Sequence, residues 1–157
     1  MVVLALSASA FAQVSAKTAV VDPYQKWVDE DAAYIITPEE RAQYSQLTSD
    51  KERNDFIVHF WLRRDPTPGT AENEFKEEHY RRIAYSNIHY PDSLAGWKTD
   101  RGRIYILNGP PDEIQNIGPS MATGPVDPAQ IWTYRDGRQF RFVDSCDCGE
   151  YRLHLRP

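Results

Sequence analysis

The chain has 157 residues, a formal net charge of −5 and 26% charged residues. A chain of this length can bury one hydrophobic core, and its charge is ordinary for a soluble domain. The sequence has no cluster of basic residues large enough to indicate a nucleic-acid partner. No apolar run approaches the ~20 residues of a membrane span. We therefore expect one domain with no nucleic-acid partner and no membrane span.

The N-terminal residues 1–12, MVVLALSASAFA, are apolar and small, as in a secretory signal peptide. Ala10-Phe11-Ala12 fits a cleavage site that would make Gln13 the first mature residue. A positively charged segment before the apolar one is missing, so either the natural start lies upstream or the segment is not a signal. We favour the signal, which predicts a periplasmic or secreted protein with a linker at 13–22 and a single domain at 23–157.

The first half of this domain has the signals of helices. Thr37 and Ser49 each stand three residues before a glutamate, and this capping-box spacing marks two helix starts. Prolines and a glycine in the RRDPTPGT loop end the second of these helices. The predicted helices are 23–35, one from Pro38, one from Asp50 to this loop, and 71–90 with Thr70 as its N-cap.

Beyond residue 103 the apolar pattern changes to the alternation that is typical of strands. Asp136-Gly137 predicts a hairpin with a type I′ turn. Helices followed by antiparallel strands predict an α+β fold, in which an N-terminal helical half of about four helices packs on a small sheet of three to four strands. The predicted strands are 103–107, 131–134, 139–143 and 150–155, with 113–117 as a further candidate.

Four segments of the chain resemble a known family. They are residues 60–87, 96–114, 131–134 and 140–153. Together they resemble the GWxTD domain, a family of bacterial proteins named after the motif that stands here as Gly96-Trp97-Lys98-Thr99-Asp100. The resemblance covers roughly Trp27 to Leu155. It implies an exported protein of uncharacterised function, often a module of a larger chain, and it supplies no catalytic residues.

The RRDPTPGT loop contains the first candidate binding residues, Arg63, Arg64 and Asp65. Arg64 continues the apolar helical stripe before it, so we expect its charge to be partly buried and paired. Asp65, Glu74 and Asp100 are the candidate partners. A clamp for the carboxylate or another anion of a ligand is the alternative. We favour an internal ion pair between Arg64 or Arg63 and a carboxylate across the junction of the two halves, with Asp100 as the leading candidate.

His79 is a second candidate, because it lies on the apolar face of its predicted helix between Phe75 and Ile83. A general base needs a cleft and a reacting partner within hydrogen-bond reach. The sequence places no nucleophile beside it, so a core histidine bonded to a backbone carbonyl or an acid is favoured.

The GWKTDRGR loop is the strongest candidate binding surface. It combines the ring of Trp97 with acceptors on Thr99 and Asp100 and donors on Arg101 and Arg103. The same mixture suits a structural plug, with Trp97 inserted into the helical half and Asp100 capping backbone amides. We favour the structural interpretation because buried aromatic residues more often serve packing.

Cys146 and Cys148 could form a disulfide, contribute to a metal site or remain as thiols. The bridge would close a very small ring, while a zinc site would need two more ligands at a spacing that is not standard. Asp144, Glu150 and His154 are nearby. We predict no metal and no cofactor. The last hairpin loop of the GWxTD family is usually rich in Asp and Gly, so a shared family function for these cysteines is not expected.

Two functional hypotheses follow. The first is a non-catalytic binding or structural module of the bacterial cell envelope, with another envelope protein or further domains of a larger chain as its partner. The alternative is an exported hydrolase-type enzyme that uses an Arg/Asp/His cluster. The alternative requires that Arg64, His79 and Asp100 converge on an open pocket.

Overall fold

The computed structural model describes residues 22–118 and 126–154, so the predicted signal segment 1–12 and nearly all of the linker lie outside the described residues. Helices precede strands along the chain, and the predicted α+β fold is confirmed. The helices are α1 (Pro23–Lys26), continued by a π-helical turn (Trp27–Asp31), α2 (Pro38–Ser45), α3 (Asp50–Leu62), α4 (Glu74–His89), a 3-10 turn (Gly96–Lys98) and α5 (Asp100–Asn108). The strands are β1 (Glu113–Ile117), β2 (Ala129–Thr133), β3 (Gln139–Val143) and β4 (Arg152–His154).

Both predicted capping boxes are present at the starts of α2 and α3. The Thr37 hydroxyl accepts the amide of Glu40 at 3.1 Å, and the Glu40 carboxylate accepts the amide of Thr37 at 3.1 Å. Ser49 does the same at the start of α3. The start of α4 differs from the prediction, because its N-cap is Asn73. The hydroxyl of Thr70 instead donates to nearby backbone carbonyls and is not available as a cap.

The segment 103–107, predicted as a strand, is part of helix α5. The hydroxyl of Thr99 caps this helix and accepts the amide of Gly102 at 3.1 Å. Ile104, Tyr105 and Ile106 are all buried, because the helix contacts both α4 and the sheet. A helix that is covered on several sides has no polar face, so its sequence lacks the helical period and resembles a buried strand.

The four strands form an antiparallel meander in the order β1-β2-β3-β4. The predicted hairpin between β2 and β3 is present, but its turn is not type I′. A type I′ turn needs positive φ at both central residues. Among the described residues only Gly137 has a positive φ in this turn, at 85°. The amide of Gly137 donates to the carbonyl of Tyr134, so the turn is centred on Arg135 and Asp136.

Two hydrophobic clusters share helix α4. The first lies among the N-terminal helices and includes Trp27 and Phe60, with Tyr80 of α4 packed against it. The second joins α4 and α5 to one face of the sheet, which contributes Trp132 and Phe142. Because side chains alternate along strands, Ile131, Arg141, Val143 and His154 project from the opposite face, which we call the outer face of the sheet.

No helix in the described part of the chain combines the length and apolarity that crossing a membrane requires.

Candidate functional site

Arg64 is paired inside the helical half. Its guanidinium contacts both carboxylate oxygens of Glu40, at 2.7 and 3.0 Å, and donates to the carbonyls of Phe60 and Ile35. It also lies 3.6 Å from the centre of the Phe60 ring. Arg63 donates to the same carboxylate at 2.9 Å. The hydrogen bonds from Arg64, followed by those from Arg63, lower the pKa of Glu40 to about 2 although partial burial opposes this. Arg64 is therefore paired internally, as predicted, but the pair lies within the helical half and does not join the two halves.

The predicted partner of Arg64 is wrong. The Asp100 carboxylate accepts a hydrogen bond from Arg103 at 3.0 Å and the amide of Leu153 at 2.8 Å. Asp65 accepts the amide of Thr67, and Glu74 accepts the hydroxyl of the same threonine. Glu40 was missed because the capping box already accounted for its carboxylate. Its second role depends on a contact that spans 24 positions of the sequence.

His79 is the core histidine that the sequence predicts. The residue is 4% exposed, and its Nε2 lies 2.6 Å from the carbonyl oxygen of Asp31. Its ring lies 5.6 Å from Trp61 and stacks with Phe75. Burial lowers the pKa of His79, although the hydrogen bond to Asp31 opposes this. The imidazole therefore fixes the end of the π-helical turn against α4.

The glycines of the GWKTDRGR loop allow close backbone contact. A Cβ atom at Gly96 would lie 1.9 Å from the carbonyl oxygen of Ser86, and one at Gly102 would lie 1.8 Å from the carbonyl oxygen of Gly96. The buried Thr99 hydroxyl donates to that same Gly96 carbonyl at 2.9 Å and caps α5. The loop therefore holds α4 and α5 at a distance that only glycine permits.

Trp97 is only partly buried, so its predicted insertion into the helical half is incomplete. Its ring centre lies 6.0 Å from that of Tyr34, whose hydroxyl donates to the Trp97 carbonyl. Its amide donates to Asn87 of α4. The Lys98 ammonium lies 5.0 Å from the centre of the Trp97 ring. Trp97 therefore links the helical half to the loop while it keeps part of its ring in solvent.

Asp100 and Arg101 connect α5 to its surroundings, and Arg103 pairs with Asp100 within the helix. Burial alone would raise the pKa of Asp100, but the Leu153 amide and Arg103 lower it overall. The predicted contact with a backbone amide is therefore present, although the amide belongs to β4 and Thr99 caps the helix. The Arg101 guanidinium lies 4.1 Å from the centre of the Tyr151 ring, and burial lowers its pKa. The loop is thus a structural junction between the helices and the sheet.

The three residues of the enzyme hypothesis do not share contacts. Among residues 22–118 and 126–154, no hydrogen bond or ion pair joins any two of Arg64, His79 and Asp100. Each makes its polar contacts with a different structural partner. This arrangement places no acid–base pair next to a nucleophile.

A cleft of about 540 Å³ lies on the outer face of the sheet, outside the binding surfaces that the sequence predicts. Its position follows from strand register, because Arg141 pairs with His154 and Val143 pairs with Arg152. Such cross-strand neighbours cannot be read from one sequence without the strand pairing. The lining residues are Val126, Asp127, Arg141, Val143, Ser145, Arg152, Leu153 and His154.

Arg141 is the unusual residue of this cleft. Its Nε is buried and has no hydrogen-bond partner, and no carboxylate of the described residues forms an ion pair with its guanidinium. Arg152, the second cation of the cleft, is paired with Asp92 at 3.1 Å and with Glu150 at 2.9 Å. The cleft therefore contains one arginine whose buried Nε has no hydrogen-bond partner within the described part of the chain.

The β3–β4 loop contains a disulfide between Cys146 and Cys148. The adjacent Asp144 is 3% exposed, and its carboxylate accepts the amides of Cys148 at 3.1 Å and Gly149 at 2.6 Å. The carboxylate and the two sulfurs lie within 4.8 Å of one another, which is close enough for a shared metal ion. Because each sulfur is bonded to the other, only the carboxylate could serve as a ligand in this state.

These features define an α+β domain whose helices and sheet are joined by a glycine-containing GWKTD turn. The family model of the GWxTD domain matches residues 10–144, and the chain belongs to this family. Comparison with curated proteins and with solved structures gave no match.

Proposed function

We propose that this chain is an exported, non-catalytic binding module of the bacterial cell envelope. We further propose that it holds an oxyanion of its ligand, a carboxylate or a phosphate, in the cleft on the outer face of the sheet. The observation that supports this binding role is the buried Nε of Arg141 in that cleft, which has no hydrogen-bond partner among the described residues.

The chemistry of Arg141 favours an oxyanion as the ligand group. A buried polar group without a partner is costly, and a guanidinium binds carboxylate or phosphate through two parallel hydrogen bonds. The cleft volume of about 540 Å³ is within the range of known small-molecule sites. The charge of Arg152 is already offset by Asp92 and Glu150, so Arg141 is the cation of the cleft that a ligand would pair with. A ligand oxyanion would complete the hydrogen bonding of Arg141.

The non-catalytic part of the proposal is supported by the separation of the candidate catalytic residues. Arg64 pairs with Glu40, His79 contacts a backbone carbonyl, and Asp100 contacts Arg103 and the Leu153 amide. The hydrolase-type alternative would have to break these contacts before any of the three could act on a substrate.

The exported part of the proposal is supported by the apolar segment 1–12 and its Ala10-Phe11-Ala12 site. Expression with the native upstream codons should yield a mature N-terminus at Gln13 in the periplasm or the medium. N-terminal sequencing measures this directly. Recovery of only the uncleaved chain from the cytoplasm would contradict it.

The binding role is tested by titrating the isotope-labelled protein with citrate and, separately, with inorganic phosphate at constant ionic strength. Amide signals of β3 and β4 should shift, and Arg141→Gln should weaken binding at least ~10-fold, or ~1.4 kcal/mol. Arg135→Gln is the matched control, because it removes the same charge from a side chain that is 90% exposed on the neighbouring hairpin. Equal weakening by both variants, or shifts confined to other surfaces, would overturn the proposed site.

A further inference from the structure

We propose that the Cys146–Cys148 disulfide is a site of thiol–disulfide exchange, reduced by an external thiol, and not a structural crosslink. This inference is independent of the proposed anion cleft. It rests on three observations about the β3–β4 loop: the short span of the bridge, the exposure of both cysteines and the carboxylate beside them.

The bridge contributes little to holding the loop. Only one residue separates the two cysteines. The chain entropy that a disulfide removes from the unfolded state increases with the length of the loop that it closes, so this short bridge removes little. The loop is also fixed without the bridge. The Asp144 carboxylate accepts the amides of Cys148 and Gly149, and strands β3 and β4 pair directly before and after the loop.

Both cysteines are accessible to a reductant. Cys146 and Cys148 are exposed, whereas the carboxyl group beside them belongs to a buried residue. Exchange begins when a thiolate attacks one sulfur of a disulfide, so exposure is the first requirement. Exposed disulfides are generally more easily reduced than buried structural ones.

The Asp144 carboxylate makes the two sulfurs unequal. Its Oδ1 lies 3.2 Å from the Cys146 sulfur, which carries no proton in the disulfide and therefore cannot donate to it. A carboxylate at this distance disfavours negative charge on that sulfur. The leaving sulfur takes on negative charge during exchange, and a leaving thiol of lower pKa departs faster. Cys148 is therefore the favoured leaving sulfur and Cys146 the sulfur that is attacked.

The reaction consumes two equivalents of thiol. A thiolate bonds to the Cys146 sulfur, the protein S–S bond breaks, and its electron pair moves to the Cys148 sulfur, which takes a proton from water. A second thiolate then attacks the external sulfur of the mixed disulfide and releases the Cys146 thiolate, which is protonated. The products are a protein dithiol and one oxidised external disulfide, so the protein is reduced by two electrons and the thiols are oxidised by two.

The first test treats the oxidised, folded protein with reduced glutathione or with a dithiol, stops the reaction by alkylation and measures mass. We expect complete reduction without denaturant by either reagent, with a glutathione adduct as the intermediate of the first reaction. Thermal unfolding of the Cys146→Ser/Cys148→Ser double variant should match that of the parent. A disulfide that is reduced only after unfolding, or a double variant that is clearly less stable, would show a structural crosslink and overturn the proposal.

A second test measures the asymmetry of the two sulfurs. The single thiol of Cys148→Ser should be alkylated by iodoacetamide several-fold more slowly at neutral pH than that of Cys146→Ser. Asp144→Asn should remove this difference while its side-chain carbonyl still accepts an amide. Asp147→Asn is the matched control, because Asp147 lies between the cysteines with φ at 52°, which asparagine tolerates. Equal alkylation rates in the two single-cysteine variants would refute the assigned direction of attack.

Discussion

Arg64 in the helical half and Arg141 on the outer face of the sheet are both partly buried, but their surroundings differ. Arg64 has both oxygens of Glu40, two backbone carbonyls and the Phe60 ring within contact. Arg141 has no hydrogen-bonding partner at its buried Nε within the described residues. The contrast separates an arginine that the fold itself requires from one that is available to a ligand.

The same contrast applies to the two regions as a whole. In the helical half, His79 and Glu78 are also engaged, the first by the Asp31 carbonyl and the second by Arg81 and Arg82. The hydrogen bonds from Arg81 and then Arg82 lower the pKa of Glu78 to about 2, against the effect of burial. On the outer face, charged side chains surround a cleft. The charged residues named in the helical half are therefore paired within the fold, whereas the outer face includes one arginine, Arg141, without an ion pair among the described residues.

The largest effect is expected where the two regions are joined. Gly102→Ala should cost about 3 kcal/mol or more of the free energy of unfolding, because its Cβ would lie 1.8 Å from the Gly96 carbonyl oxygen. Alanine is otherwise favoured over glycine in a helix by ~1 kcal/mol. The cost of the steric clash must therefore exceed this gain in helix propensity before the variant is destabilised. Urea titration followed by circular dichroism measures the change.

Gly118→Ala is the control for this prediction, because no atom of the described residues lies within 4 Å of its added Cβ. It should change the free energy of unfolding by less than ~0.5 kcal/mol. If Gly102→Ala cost no more than this control, the turn at Gly96 would have room to move away from Gly102 and the junction would not depend on this glycine.

A smaller but still large effect is expected for the ion pair of the helical half. Arg64→Ala should cost about 3 kcal/mol, because it leaves a poorly exposed Glu40 carboxylate with Arg63 alone. The exposed control Arg135→Ala should cost under ~1 kcal/mol. A double-mutant cycle of Arg64→Ala with Glu40→Gln measures the coupling. Equal costs for the two arginines would remove the distinction between the regions.

This ion pair also predicts a pH dependence. The pKa of Glu40 is lowered from 4.5 to about 2 in the folded state, so the unfolded state binds the proton more readily. The stabilisation is therefore present above pH 4.5 and is lost as the pH falls towards 2. Acid titration of Glu40→Gln should show a weaker loss of stability over this interval than the parent. Parallel curves would mean that Glu40 titrates normally.

Local signals were sufficient for part of the fold. The capping boxes at Thr37 and Ser49 and the β2–β3 hairpin were predicted because each depends on residues within a few positions of one another. The buried state of His79 was predicted from the helical period alone. These features depend on residues that are close together in the sequence.

Other features depend on contacts between distant segments. The apolar run in α5 cannot distinguish a buried helix from a buried strand, because its neighbours α4 and the sheet cover it from several sides. Glu40 could not be chosen as the partner of Arg64 without the packing of α2 on α3. The cleft at Arg141 needs the β3–β4 register, which the sequence does not state.

The smallest effect is expected for Arg141 itself. Arg141→Gln should leave the free energy of unfolding within ~0.5 kcal/mol of the parent or raise it, because no ion pair of the described residues is lost and a poorly solvated charge is removed. Glutamine keeps part of the aliphatic stem that covers the sheet, so packing changes little. Urea titration without added anion measures this effect. In a second titration, citrate should stabilise the parent more than the variant, because a ligand that binds only the folded state adds to its stability. A loss of several kcal/mol without ligand would instead make Arg141 a structural residue like Arg64, and the oxyanion would have to be sought on another surface.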